Sequence, residues 1–285
     1  MALSPQLSDY LARIGLDKPP AANAAGLEQV QAAHRQHIPF ENLDIPLDRT
    51  IHCDGTRVFA KLVTARRGGY CFEQNRLFAD MLADLGFTNR LLLARVLLGD
   101  PPDHTPRTHC LVLVTIEGEE WIADAGFGGA YAPPMRLRDG EEARSGDGAR
   151  HRLTRIGEQG DLPGAWLLER QGPIHSTDGR ARSADRWEAQ FAFDLAQVAQ
   201  ADMALGNHWA ATHDTSRFTN VVVASKCLPD GFTRLVGREL TSWRAGQDKQ
   251  QATIDHAAAY QDVLAREFGI ALRGEEVTRL ALFAE

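Results

Sequence analysis

Apolar positions in the first third of the chain repeat with the spacing of helical turns. Leu7, Tyr10, Leu11 and Ile14 share one face, with Ser4 placed to cap and Pro5 in the first turn. A second helix is predicted over Leu27 to His37, ended by Pro39. A third starts near Cys71, carries Phe78, Met81, Leu82 and Leu85 on one face, and stops at Gly86. The period then changes. "RLLLARVLL", "HCLVLVTIEGEEWIADAGF", "HRLTRIG" and "AWLLERQG" are short apolar runs separated by Gly, Pro and Asp, and read as antiparallel strands. "RLRDGEEARSGDGAR", residues 136–150, is polar and glycine-rich and reads as an exposed loop. "DLAQVAQADMALGNHWAATH" predicts a connecting helix. Three strands follow in "FTNVVVASKCL", "GFTRLVGREL" and "LTSWRAG", then a helix over 254–268. The chain is expected to be α+β and multi-domain: helical over 1–86, a β-barrel or curled sheet over 87–193, a connector over 194–213, and mixed strands and helix over 214–285.

Composition narrows the function classes. The 285 residues are long enough for a sizeable core, and the net charge of −7 comes without any basic block. Nucleic acid and anionic membranes are therefore poor partners. No apolar run approaches the roughly 18 residues of a membrane span. The N-terminal stretch lacks the pattern of a secretory signal. Four cysteines are too few for a disulfide scaffold, so free thiols in a reducing cytoplasm are expected.

The chemistry concentrates in "RRGGYCFEQN", residues 66–75. A cysteine at a helix start is more often a small buried hydrophobe than a nucleophile. A helix N-terminus nevertheless favours an anion, and the thiolate is the reactive form. Gly68 and Gly69 are expected to take backbone angles closed to other residues and turn the chain into the helix. A proton acceptor is available in "RTHCLVLV". Residues 109, 111 and 113 share one strand face, while 110, 112 and 114 share the other. Both faces are apolar, so His109 ends a buried strand and needs a partner or a role, while Cys110 reads as core. Asp124 in "EEWIADAGFGG" lies across a hairpin turning near Glu117-Gly118, roughly opposite His109 or shifted by about one pair for a tight turn. There it would fix the imidazole tautomer. Glu73 and Asn75 read as structural, Glu73 as a carboxylate compensating the helix dipole or in a buried salt bridge with Arg66 or Arg67. Cysteine before histidine before aspartate, on these elements, is far more specific than any one of the three. His52-Cys53 and His109-Cys110 lack metal-ligand spacing, so no metal is expected.

"RGGYCFEQN", "THCLVLV" and "WIADAGFG" resemble the signature segments of the arylamine N-acetyltransferases. "IPFENLD", 38–44, and "TSRFTN", 215–220, resemble two further family segments, in the family's order. The resemblance implies a helical bundle, a central antiparallel β-barrel and an α/β lid around a cysteine-protease/transglutaminase-like core. It implies a catalytic triad of Cys71, His109 and Asp124, with acetyl-coenzyme A as cosubstrate and no tightly bound cofactor. The acceptors it implies are arylamines, arylhydrazines or N-arylhydroxylamines, as in cytoplasmic xenobiotic metabolism by a monomer or homodimer. Phe40, Phe127, Phe218 and Val96 fall where the family lines its acceptor pocket. Gly126, Gly128 and Gly129 fall where its backbone lies near the coenzyme. "AATHDTSRF" departs from the Ser-Thr pair and proline that family members often show, on the acceptor side of the pocket. The same triad order also fits a Cys-His-Asp hydrolase, and the same fold an amide synthase.

Overall fold

The computed structural model describes residues 3–99, 105–157 and 165–283. Helix α1 (Pro5–Arg13) is capped as its sequence predicts, the Ser4 hydroxyl accepting the Leu7 N–H at 3.1 Å. Helix α2 (Ala24–His37) begins earlier than its apolar period, because Asn23 caps it by accepting the Gly26 N–H at 2.9 Å. A two-residue strand β1 (Phe40–Glu41), a short helix α3 (Gly55–Phe59), a π-helical turn (Ala60–Thr64) and α4 (Cys71–Asp84) follow.

Eight strands come next: β2 (Thr88–Val96), β3 (His109–Ile116), β4 (Glu119–Ala123), β5 (Met135–Arg136), β6 (Glu142–Arg144), β7 (Arg150–Arg155), β8 (Trp166–Gln171) and β9 (Glu188–Phe193). They form an antiparallel sheet in the order β5-β4-β3-β2-β9-β8-β7-β6. Its two edge strands are joined by the short loop 137–141, so the sheet curls into a nearly closed barrel. Strand β3 sits between two cores. Val112, Val114 and Ile116 pack with α1, α2 and α4, while Leu111 and Leu113 face the barrel interior with Leu92, Leu153, Phe191 and Phe193. A one-residue slip would exchange the two faces. Each fully buried aliphatic side chain contributes about 1.5–3 kcal/mol, and this pins the register.

The run 136–150 is not simply an exposed loop. It contains β6 and a turn in which Ser145 and Asp147 are buried. Asp147 accepts from the Ser145 hydroxyl at 2.5 Å and pairs with Arg170 at 3.2 Å. The polar residues there satisfy one another instead of facing water.

Helix α5 (Gln200–Thr212) and the single turn α6 (Arg217–Asn220) lead to β10 (Val223–Leu228), β11 (Gly231–Val236), β12 (Glu239–Arg244) and β13 (Gln250–Thr253), one strand more than expected. Helices α7 (Ala257–Phe268) and α8 (Gly274–Arg279) follow. The second sheet is antiparallel in the order β1-β10-β11-β12-β13. Its edge strand comes from the N-terminal part of the chain, Phe40 pairing with Ser225. Leu43 and Leu47 enter the core under α7 and α8.

Charged side chains gather below the turn before α4. Lys61 Nζ lies 2.7 Å from both Asp44 and Glu73. Arg67 pairs with Glu41 at 2.8 Å and with Asp44 at 3.1 Å. The expected partner of Glu73 is thus replaced by Lys61, brought in by the π-helical turn that the apolar pattern does not reveal. Removing one member of such a network leaves a buried charge uncompensated. Lys61→Met should lower the unfolding free energy by about 3 kcal/mol in chemical denaturation, and a loss under about 0.5 kcal/mol would show that the network is dispensable.

Candidate active site

Cys71 is the first residue of α4 and keeps 3% of its surface exposed. The turn that delivers it works differently from the glycine reading. Arg66, not a glycine, takes the left-handed conformation, with φ 53°. Gly68 and Gly69 are needed for close approach. A Cβ on Gly68 would lie 2.3 Å from the Pro39 carbonyl oxygen, and one on Gly69 would lie 2.6 Å from Glu73 Oε2. Glu73 accepts the Tyr70 N–H at 3.2 Å, closing the helix start.

Strands β3 and β4 bring the other two groups. The hairpin turns tightly at Glu117 and Gly118, both with positive φ, and its last register pair is Val112 with Ala123. Asp124 follows directly. His109 Nε2 donates to Asp124 Oδ2 at 2.7 Å. That leaves Nδ1 as the ring nitrogen available to the Cys71 sulfur, with which His109 hydrogen-bonds. The imidazole packs against the rings of Phe127 and Phe191, each centroid 5.0 Å away. The Cys71 thiol also lies 3.5 Å from the Thr108 carbonyl oxygen. Below it, Cys110 Sγ is 3.3 Å from the Cys71 carbonyl oxygen, so Cys110 touches the site as well as the core.

Burial alone would push the Cys71 thiol up. Hydrogen bonding with Cys110 and His109 and the imidazolium charge overcome it and bring the thiol down to about 6. Burial would lower His109, but the Asp124 carboxylate raises it to about 9. Asp124 stays below its usual range despite burial, chiefly because of His109. Between those values the pair is thiolate and imidazolium, the combination needed for nucleophilic attack with a proton donor alongside. Glu73 is pushed up to about 7 by burial and by Glu41 and Asp44, against the pull of Lys61, which pairs with it at 2.7 Å.

The thiol opens on a cavity of about 110 Å³. Phe40, Val96, Phe127 and Phe218 line it together with Trp209, Gly126, Gly128 and Gly129. The Phe218 ring packs against Phe40 at 5.9 Å and edge-on against Tyr70 at 5.3 Å. Asn42 of "IPFENLD" donates to the carbonyls of Phe218 and Val221 at 2.9 and 2.8 Å, tying the 38–44 segment to the end of the 215–220 segment.

A family profile described as N-acetyltransferase matches residues 24–277. The chain belongs to the arylamine N-acetyltransferase family. It is 37% identical over 286 aligned residues to the arylamine N-acetyltransferase of Escherichia coli K12, covering 98% of this chain and 95% of that one. The Salmonella typhimurium family structure superimposes with a TM-score of 0.87 at 32% identity, covering 99% of this chain and 100% of that one. The Mycobacterium marinum arylamine N-acetyltransferase in complex with CoA gives 0.85 at 29% identity, covering 98% and 100%. As a member of the arylamine N-acetyltransferase family, the chain is an acyltransferase.

Gln31 and Arg35 escaped the sequence reading, and Asn75, read there as structural, proves to bind the site directly. Asn75 donates to the Cys110 carbonyl at 2.6 Å and to Asp124 Oδ1 at 2.9 Å, and accepts the Ala125 N–H at 2.9 Å. Its spacing of one helical turn from Cys71 is the signal that marks it. Gln31 accepts the Asp124 N–H at 2.7 Å, and Arg35 donates to the Phe127 carbonyl at 2.6 Å. Neither polar residue stands out in α2, because only the fold shows that its face is buried. Alkylation of Cys71 by iodoacetamide should rise through a midpoint near pH 6. Asp124→Asn removes the charge that keeps His109 protonated, so the midpoint should move up by about one pH unit or more. An unmoved midpoint would remove Asp124 from thiol activation.

Proposed function

We propose that the chain moves an acetyl group from acetyl-coenzyme A to an arylamine, arylhydrazine or N-arylhydroxylamine through an acetyl-cysteine intermediate. The observation that carries this is the hydrogen-bonded run from Cys71 through His109 to Asp124, opening on an aromatic-lined cavity. The Cys71 thiolate attacks the thioester carbonyl and a tetrahedral oxyanion forms. Its collapse breaks the bond to the coenzyme sulfur, which takes the proton held by His109 and leaves as the free thiol. The amine then attacks the acetyl-cysteine, His109 accepts its proton, and the Cys71 thiolate departs as the acetylated amine forms. Donor and acceptor therefore use the site in turn, a ping-pong scheme. Asp124 holds the imidazole and stabilises its charged form.

The oxyanion needs N–H donors. The Tyr70 N–H is engaged by Glu73, so the Cys71 N–H, which has no carbonyl partner within the helix, is assigned this part. Gly126 and Gly128 let the backbone pack closely on Cys71 and Phe40, beside the cavity that would receive the coenzyme chain. A Cβ on Gly126 would lie 2.9 Å from the Cys71 Cα, and one on Gly128 would lie 2.7 Å from the Phe40 ring. Phe40, Val96, Phe127 and Phe218 give flat apolar walls for an aromatic acceptor and keep water from the acyl-enzyme. Among the described residues no group of three or more His, Cys, Asp and Glu side chains is placed to hold a metal. The four free cysteines fit a reducing cytoplasm.

Incubation with acetyl-coenzyme A alone should add one acetyl group to Cys71, read by peptide mass spectrometry. Cys71→Ala should prevent the adduct and lower arylamine acetylation by about 10⁴-fold or more. Turnover retained by this variant, or no adduct on the parent protein, would overturn the scheme.

A further inference from the structure

Beside the cavity of Cys71 lies a groove of about 350 Å³, with Leu93, Pro106, Val198 and Leu205 among its walls. Among the described residues, only Thr108 and Trp209 line both spaces. Thr108 is anchored through its backbone. Its N–H donates to the Pro106 carbonyl at 2.9 Å, and its carbonyl oxygen lies 3.5 Å from the Cys71 sulfur. Trp209 contributes a half-buried side chain from the last turn of α5. The helix beneath it has no room to shift. A Cβ on Gly206 would lie 2.8 Å from the Phe72 ring and 2.9 Å from the Arg107 carbonyl oxygen, so α5 sits tightly against its neighbours. The indole is thus the part of the partition that can turn.

His213, one helical turn further on, holds the indole. The two rings stack with centroids 4.6 Å apart and 17° between their planes. His213 is itself fixed by its neighbours, Nδ1 lying 2.9 Å from the Thr215 hydroxyl and 3.1 Å from Asp214 Oδ1. All three residues belong to "AATHDTSRF", the stretch in which the chain departs from the family pattern. We propose that Trp209, latched by His213, is a partition that limits the acceptor to a single aromatic ring. An apolar cavity of roughly 150 Å³ accommodates one benzene ring. The cavity of about 110 Å³ beside Cys71 therefore has room for one ring and little more. A second, fused ring would have to extend past Trp209 toward the apolar walls of the groove. This rests on the acetyl-transfer reading and names the size class of acceptor within it.

Steady-state acetylation of 4-methylaniline and of 2-aminoanthracene, at saturating acetyl-coenzyme A, tests the proposal. The parent protein should favour the single ring in kcat/KM. Trp209→Ala should raise the ratio of fused over single ring about tenfold or more, chiefly through KM, because the added rings then bury apolar surface in the groove. His213→Ala should raise it about threefold, the scale of one aromatic pair. His213→Phe keeps a ring for the indole to stack on and should restore the parent ratio. An unchanged ratio in Trp209→Ala overturns the partition. An unchanged ratio in His213→Ala, or an equal rise in His213→Phe, overturns the latch. Should Trp209→Ala fail to fold, the two His213 variants decide, because that side chain is 44% exposed. If no acetyl group reaches Cys71 in the parent protein, the acetyl-transfer reading fails and the proposal with it. If Cys71 is acetylated but the parent protein turns over both amines equally well, only the partition fails.

Discussion

One buried amide holds three elements in register. Asn75 reaches from α4 to the Cys110 carbonyl on β3, to the Asp124 carboxylate, and to the Ala125 N–H beyond β4. Its donors and its acceptor are all engaged, so its orientation is determined by its neighbours. The distance between a thiol on a helix and an imidazole on a strand has to stay within hydrogen-bond reach, although the two are far apart in sequence. Packing of apolar surfaces brings α4 onto the sheet, but it leaves sliding motions cheap. Directional bonds to the Cys110 carbonyl on β3 and to Asp124 and Ala125 just beyond β4 remove that freedom.

The electrostatics follow from the same placement. A carboxylate, an imidazole and a thiol lie in line away from water, where their mutual interactions are strong. Each group alone would be neutral there. Together they stabilise one another's charged forms, with Asp124 acting on His109 and His109 on Cys71. The second charged network, around Lys61 and Arg67, lies under the turn that aims the cysteine and provides counter-charges for three carboxylates. Charge is thus spent twice in this fold, once to hold the backbone before α4 and once to ionise the first side chain on it.

Much of this was legible beforehand, and the failures have physical reasons. Cys71, His109 and Asp124 stood out because a helix start and a hairpin with both faces apolar are local patterns, and the tight turn at Glu117-Gly118 set their relation within one pair. Arg35, Gln31 and Lys61 did not stand out, because a polar residue on a helix gives no sign that its face will be covered by a distant strand or turn. Gly68 and Gly69 were recognised as necessary, but for backbone angles; the requirement comes from Pro39 and Glu73, which only the fold brings near. The run 136–150 misled because hydrogen-bonded polar turns and solvated loops have the same composition.

The pairing of Phe40 with Ser225 carries a consequence for how the molecule comes into being. On the ribosome, residues 40–47 emerge long before the strand and helices that complete their surroundings. Until then β1 is an open edge, and Leu43 and Leu47 have no core to enter. The helical and barrel parts can consolidate earlier from contacts closer in sequence, but the segment next to Cys71 must wait for the last strands and helices to be made. Native assembly is therefore governed by contacts of high sequence separation, and the nascent chain depends on its C-terminal portion to bury what its N-terminal portion has already exposed.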